Sequence, residues 1–211
     1  MNYQTIAVIG GTGKSGQYLV NQLQNQGFKL RMLLREPSRF QGSHQGVEIV
    51  QGDARVYDAV HALLDGVDAV ISTLGQPQGE SSIFSDATKN VLRAMKIHGI
   101  SRYVVTTGLH VDTPKDQKNP RVIYATQWMY DTFTEITEDK QLEYDILMES
   151  EADWTLVRLP MIRLTDERLI TKASLIDCVG ESISATDLAC FLIEQLVDKQ
   201  FVREAPFLSN S

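Results

Sequence analysis

The sequence predicts a single α/β domain, residues 1–211, built on a doubly wound parallel sheet. Three observations carry that expectation. Short β-branched, apolar runs alternate with longer amphipathic segments along the chain. The first run stops at a glycine-rich turn, and a helical pattern follows at once. The 211 residues, 43% of them hydrophobic, suffice for one sizeable core.

The elements follow in order. "TIAVIG" (5–10) reads as a buried strand, and "SGQYLVNQLQNQG" (15–27) as a helix with Leu19, Val20 and Leu23 at helical spacing. "KLRMLLR" (29–35) and "VEIVQGD" (47–53) are strands two and three. "VYDAVHALLDG" (56–66) is a helix that opens on Asp58 and stops at Gly66, and "DAVISTLG" (68–75) is strand four. "FSDATKNVLRAMKIHG" (84–99) is a helix with Val91, Leu92 and Met95 on one face, ended by Gly99. "RYVVTTG" (102–108) is strand five, and helices are expected over 122–136 and 141–150. "WTLVRLP" (154–160) is strand six, opened by a packing residue, Trp154, and "ATDLACFLIEQLVD" (185–198) is an amphipathic helix. Strands joined by helices of this length pair in parallel. The least regular stretches, 76–82 and 112–121, follow strands, at the end where an open α/β sheet binds ligands. The part from about 109 to 211 is expected to shape a substrate pocket.

Composition removes several function classes. A net charge of −7 argues against a general nucleic-acid binder, which needs clustered Lys and Arg. No apolar run approaches the roughly 18 residues of a membrane span. "MNYQTIAVIGG" enters a strand pattern with no basic leader, so no secretory signal is expected and a cytoplasmic location is. Cys178 and Cys190 read as ordinary small apolar residues of a reducing compartment. The histidines at 44, 61, 98 and 110 lack zinc-like spacing, so no metal site is expected, and His110 reads as a solvated loop residue. Trp128, Met129 and Phe133 read as core or a helix–helix interface.

The glycine turn narrows the ligand. Gly10, Gly13 and Gly16 are spaced three apart, with Lys14 and Ser15 between the last two. A mononucleotide P-loop would need glycine five residues before Gly13, where Val8 stands inside the strand. A strand, a glycine turn and a helix in the first βαβ unit fit a dinucleotide instead. Gly10 allows the tight turn, Gly13 lets backbone approach a pyrophosphate, and Gly16 lets the helix pack closely. An NAD site usually carries Asp or Glu at the end of strand two. Here Arg35 stands there, with Arg39 four residues on, and a guanidinium suits a 2′-phosphate. NADP is therefore expected ahead of NAD, while Glu36 could pair with Arg39 or accept a ribose hydroxyl.

"VIGGTGKSG", "LLREPSR", "VQGDARVYDAVHALLDGVDAVISTLG", "NVLRAMKIHGISRYVVTTG" and "LMESEADWTLVRLP" together resemble the atypical short-chain dehydrogenase/reductases. The nearest branch is the NAD(P)H-binding, NmrA-like and biliverdin reductase B (flavin reductase)-like proteins, with a Rossmann fold. The resemblance implies that Gly10, Thr12, Gly13, Lys14, Ser15 and Gly16 hold the pyrophosphate and that Arg35 holds the 2′-phosphate. It implies that Asp53 and Ala54 edge the adenine. Ser72, Thr73, Leu74 and Gly75 would run beneath the adenosine ribose and pyrophosphate toward the nicotinamide. Thr106 and Thr107 close strand five, where the family often has Ser. Lys140, ten residues before Ser150, stands where a Lys or His often lies near the nicotinamide, and Leu159 and Pro160 would border that ring.

One departure matters. Better-known members use a Tyr with Lys four residues later to pass a proton to a carbonyl. Here Tyr124, Tyr130 and Tyr144 are followed at that distance by Trp128, Thr134 and Met148. Alcohol–ketone chemistry through such a pair is unsupported. Hydride transfer from NADPH to a flavin, quinone or linear tetrapyrrole needs less acid help, with Thr107 and Lys140 as candidates to polarise the acceptor. Lys140 has a plainer reading, as a solvated helix start. A non-catalytic NADP(H) sensor, meeting a protein partner through 112–121 or 122–138, is the alternative. An epimerase reading would want the missing pair and a larger C-terminal domain.

Overall fold

The computed structural model describes residues 3–77 and 79–211. Met1, Asn2 and Gln78 lie outside it, and with them the first two residues of the leader reading and one residue of the 76–82 stretch.

The strands are β1 (Thr5–Ile9), β2 (Lys29–Leu34), β3 (Val47–Gln51), β4 (Ala69–Ser72), β5 (Arg102–Gly108), β6 (Asp153–Leu159), β7 (Met161–Arg163), β8 (Thr171–Ser174), β9 (Ser182–Ser184) and β10 (Phe207–Asn210). The helices are α1 (Gly16–Asn25), α2 (Tyr57–Leu63), α3 (Phe84–His98), α4 (Pro120–Thr132), α5 (Thr134–Glu149) and α6 (Ala185–Glu194). The main sheet has eight strands in the order β3-β2-β1-β4-β5-β6-β10-β8, and β7 pairs with β9 in a second, two-stranded sheet. All neighbours through β10 run parallel, while β8 is antiparallel to β10. This is the doubly wound Rossmann arrangement, with order reversing between β1 and β4.

Period-two alternation explains the layers. Ile6 and Val8 of β1 face one core with Leu19 and Leu23 of α1 and Leu188 and Leu192 of α6. Ala7 and Ile9 face the other, with Val60 of α2, Val91 and Met95 of α3 and Leu147 of α5. Both faces of β1 are covered, which is why its sequence is a continuous apolar run. Each fully buried Val, Leu or Ile side chain contributes about 1.5–3 kcal/mol.

Several expectations are corrected. The helical region after β5 breaks at Phe133, not between 137 and 140, and α5 starts at Thr134. Lys140 is therefore mid-helix and buried, not a solvated helix start. His110 is also buried, at 4% exposure, because its ring packs on Gly108, where a Cβ would meet the imidazole at 2.4 Å. Trp128 and Phe133 stack edge-on against each other, yet they stand 49% and 43% exposed on the surface. Residues 112–119 are tied down instead of loose: Arg158, fully buried, donates to Asp116 at 2.7 Å, and Lys118 donates to Asp112 at 2.6 Å. Strands β7 to β10 are too short for the sequence pattern to have marked them.

Candidate functional site

The site lies where strand order reverses, at the C-terminal ends of β1 and β4. Gly10 follows β1 with φ +81°, a conformation that glycine reaches without strain, and its carbonyl accepts from the Gly13 amide at 2.9 Å. Gly16 begins α1 so close beneath this turn that a Cβ there would meet the Gly10 oxygen at 2.1 Å. From the other side, the Thr73 amide donates to the Ile9 carbonyl at 2.9 Å and the Thr73 hydroxyl reaches the Gly10 carbonyl at 3.4 Å. The turn is thus clamped between α1 and the end of β4, and it leaves Gly13 and Lys14 facing solvent.

A cleft of about 480 Å³ opens above the turn. Of the residues expected at a cofactor, Gly10, Thr12, Gly13, Lys14 and Ser15 line it from the glycine side. Arg35 and Arg39 line it from the end of β2, Asp53 and Ala54 from the end of β3, and Thr73, Leu74 and Gly75 from the end of β4. The turn after β3 is held in place by Asn90 of α3, which donates to the Ala54 carbonyl at 2.9 Å. Gly16 lies beneath the lining and Ser72 is buried in β4.

The remaining candidates stand beyond this cleft. Thr106 is half-buried, with its hydroxyl 3.5 Å from the Ser72 carbonyl. Thr107 is buried and its hydroxyl has no hydrogen-bond partner among the described residues. Leu159 closes β6 beside Gly108, its carbonyl accepting from Leu109 at 2.9 Å, and Pro160 follows half-buried. The Lys140 ammonium sits 3.5 Å over the Phe84 ring and 3.8 Å from the Glu143 carboxylate. Glu143 accepts from the Thr88 hydroxyl at 2.7 Å, so this buried pair joins α5 to α3. Burial pushes the Lys140 ammonium below its ordinary value, partly opposed by Glu143 and Asp139, and pushes the Glu143 carboxyl above its own, partly opposed by Lys140. Burial, with Lys140 and Lys118 nearby, takes His110 down to about 3, so its ring is neutral at physiological pH.

Two charged residues escaped the sequence reading. Arg55 donates to Asp53 through Nε at 3.0 Å and Nη2 at 2.6 Å. Glu80, from the loop after β4, accepts from Arg35 at 2.6 Å and pairs with Arg55 at 2.8 Å. Arg39 is paired separately, with Glu36 at 2.9 Å. The hydrogen bonds from Arg55 hold Asp53 below the usual carboxylate range, those from Arg35 and Arg55 do the same for Glu80, and Asp53 raises Arg55. Arg55 could have been suspected, because β2 and β3 pair in parallel and their ends must adjoin. Nothing in the pattern of 76–82 marks Glu80.

The residues present fit a dinucleotide. The glycine turn lines the cleft ahead of α1, side chains are absent where backbone must approach, and the Arg35 and Arg39 guanidiniums line the same cleft.

A sequence profile described as NAD(P)H-binding matches residues 10–199. Among curated proteins, the chloroplastic divinyl chlorophyllide a 8-vinyl-reductase of Arabidopsis thaliana is 22% identical over 224 aligned residues, which cover 94% of this chain and 51% of that protein. The 3 beta-hydroxysteroid dehydrogenase/Delta 5-->4-isomerase of Mycobacterium tuberculosis (H37Rv) is 30% identical over 115 residues, 48% of this chain and 31% of that one. The chain thus spans about half, or less, of the length of these relatives. Among solved structures, the oxidoreductase ylbE of Lactococcus lactis superposes with a TM-score of 0.82 at 16% identity, over 99% of this chain and 91% of that one. The anaerobillin reductase ChuY of Escherichia coli O157:H7 gives 0.81 at 18%, covering 98% and 97%. A short-chain dehydrogenase/reductase of Veillonella parvula in complex with NADP gives 0.78 at 13%, covering 99% and 95%. Among the described residues, no helix is long and apolar enough to cross a membrane.

Proposed function

The chain belongs to the NAD(P)H-binding family, and from that premise we propose that it is an NADPH-dependent reductase of a conjugated acceptor, with a tetrapyrrole favoured over a flavin or quinone. The observation that carries this reading is the cleft at the strand-order switch, lined by both the glycine turn and Arg35. The tetrapyrrole preference rests on two resemblances, to a divinyl chlorophyllide reductase and to an anaerobillin reductase.

Gly10 to Gly16 would hold the pyrophosphate through turn amides and the start of α1, and Arg35 would hold the 2′-phosphate. Asp53 and Ala54 would edge the adenine. Ser72 to Gly75, Thr106, Leu159 and Pro160 would carry the cofactor toward the ends of β5 and β6. NADPH, when bound, supplies the hydride. The protein's part is then to place the acceptor and exclude competing geometry, and water supplies the balancing proton. Thr107, whose buried hydroxyl has no partner among the described residues, is the stronger candidate for contact with the acceptor. Lys140, covered by Phe84, acts as a positioning residue through the α3–α5 joint. Residues from about 109 to 211 would wall the acceptor pocket, with 112–119 held by Arg158.

A second reading is favoured by the exposed apolar face of α4, where Ile123, Tyr124 and Trp128 are 56%, 74% and 49% exposed. That face suits a sensor that binds NADP(H) and meets a partner protein. NADPH oxidation, followed at the nicotinamide absorbance with a linear tetrapyrrole, FMN and a quinone, separates the two. Turnover with any of them supports the reductase. Saturable NADPH binding without oxidation by any acceptor overturns it in favour of the sensor.

A further inference from the structure

We propose that Arg35 and Arg55 together form the clamp for the 2′-phosphate, and that Glu80 is its built-in counter-ion, displaced when the phosphate enters. The inference rests on the NADP reading above and adds to it a second cation and a competitor.

The geometry is specific. Glu80 divides its carboxylate, with Oε1 on Arg35 at 2.6 Å and Oε2 on Arg55 at 2.8 Å. One anionic group with its oxygens shared between two guanidiniums is the arrangement a phosphate monoester would take. Arg55 is presented for this role by Asp53, which accepts both its side chain and its backbone amide, the latter at 2.8 Å. Arg39 lies apart from the clamp, bound to Glu36. Arg35 directly follows β2 and Arg55 stands in the turn between β3 and α2, whereas Glu80 belongs to the loop after β4. That loop is fastened independently, by the Gln76 amide on the Glu80 and Ser81 carbonyls at 2.8 and 3.1 Å. The Glu80 side chain, 33% exposed, can therefore leave by rotating about its own bonds, without loop rearrangement.

Charge counting gives the consequence. Arg35, Arg55, Asp53 and Glu80 sum to zero as they stand. A 2′-phosphate finds net positive charge only once Glu80 has left. Glu80 therefore taxes the phosphorylated cofactor and leaves the unphosphorylated one unaffected.

Calorimetric titration of the protein with NADP+, NAD+ and adenosine 2′-monophosphate tests this without reference to turnover. Glu80→Gln is expected to tighten NADP+ and adenosine 2′-monophosphate by about three- to tenfold, the scale of two exposed ion pairs, and to leave NAD+ within about twofold. Arg55→Gln should weaken both phosphate-bearing ligands by about tenfold and spare NAD+. Wild-type preference for NADP+ with silent Glu80→Gln and Arg55→Gln variants overturns the clamp while leaving the cofactor reading intact. Equal loss of NADP+ and NAD+ in Arg55→Gln also overturns it. A wild type without preference for NADP+, unchanged by Glu80→Gln, overturns both.

Discussion

The carboxylate of Asp139, in α5, accepts a hydrogen bond from the backbone amide of Phe84, the first residue of α3, at 2.8 Å. The next amide, that of Ser85, reaches the same oxygen at 3.3 Å, and the Ser82 hydroxyl also donates to it. One helix thus caps another, and the amides left over at the start of α3 are satisfied from outside it. Burial pushes the Asp139 carboxyl up, but the bonds from Ser82, Ser85 and Phe84 outweigh it and leave the carboxyl below its ordinary value. A folded value below the unfolded one makes the contribution complete above the unfolded carboxylate range, and it fades as pH falls through the folded value. Asp139→Asn should therefore cost about 1 kcal/mol at neutral pH and less toward pH 3, flattening the acid limb of stability. Urea midpoints measured from pH 7 to pH 3 check this, and a uniform offset at every pH would count against it.

Arg35→Ala should weaken NADP+ by about 1–3 kcal/mol and leave NAD+ nearly unchanged, because on the proposed reading the guanidinium would meet the 2′-phosphate alone. Fluorescence titration with both dinucleotides decides the matter. An equal loss for both would place Arg35 outside the discriminating contact.

Gly16→Ala should open the glycine turn, since its Cβ would meet the Gly10 carbonyl at 2.1 Å and that oxygen is held by the Gly13 amide. Overpacking of this kind costs about 1–3 kcal/mol. Gly27→Ala is the control: open space surrounds it, and its only strain is a φ of +83°, which Gly16 does not share. Thermal melts with and without NADP+ should show Gly16→Ala losing the ligand-induced shift that Gly27→Ala retains.

Lys140→Met alone should cost about 3 kcal/mol or more, because it strands the Glu143 carboxylate inside the protein. Lys140→Met with Glu143→Gln removes the charges together, and should recover most of that loss, since Thr88 can still donate to the amide oxygen. If the double variant folds and still turns over, Lys140 is a joint between α3 and α5. Loss of kcat in a stable double variant would return it to the chemistry.

The parallel sheet was legible because β1 and β4 are buried on both faces and so read as apolar runs, and β5 carries the β-branched stretch Val104 to Thr107. The glycine turn was legible for the same reason that it works: backbone must approach backbone there, and no other residue permits it. The solvated readings of Lys140 and His110 failed because polar residues usually lie outside, whereas Phe84 of α3 covers Lys140 and Gly108, which has no side chain, leaves room for the His110 ring. Trp128 and Phe133 failed in the opposite sense, since apolar spacing marks a face without saying what covers it. Glu80 was invisible because an irregular loop has no period, and its partners are 45 and 25 residues away in sequence.

The position of β10 bears on how the chain is made. Residues 203–207 run beside β6, with the Leu156 amide on the Glu204 carbonyl and the Arg158 amide on the Pro206 carbonyl at 3.1 and 2.8 Å, and β10 is then, among the described residues, the one main-sheet partner of β8. A nascent polypeptide leaving the ribosome therefore presents β6 as a bare edge, with Arg158 lacking the Ala205 carbonyl it will bind, until residues 203–210 emerge. Translational pausing just before that stretch would lengthen the interval in which the edge can recruit a foreign strand.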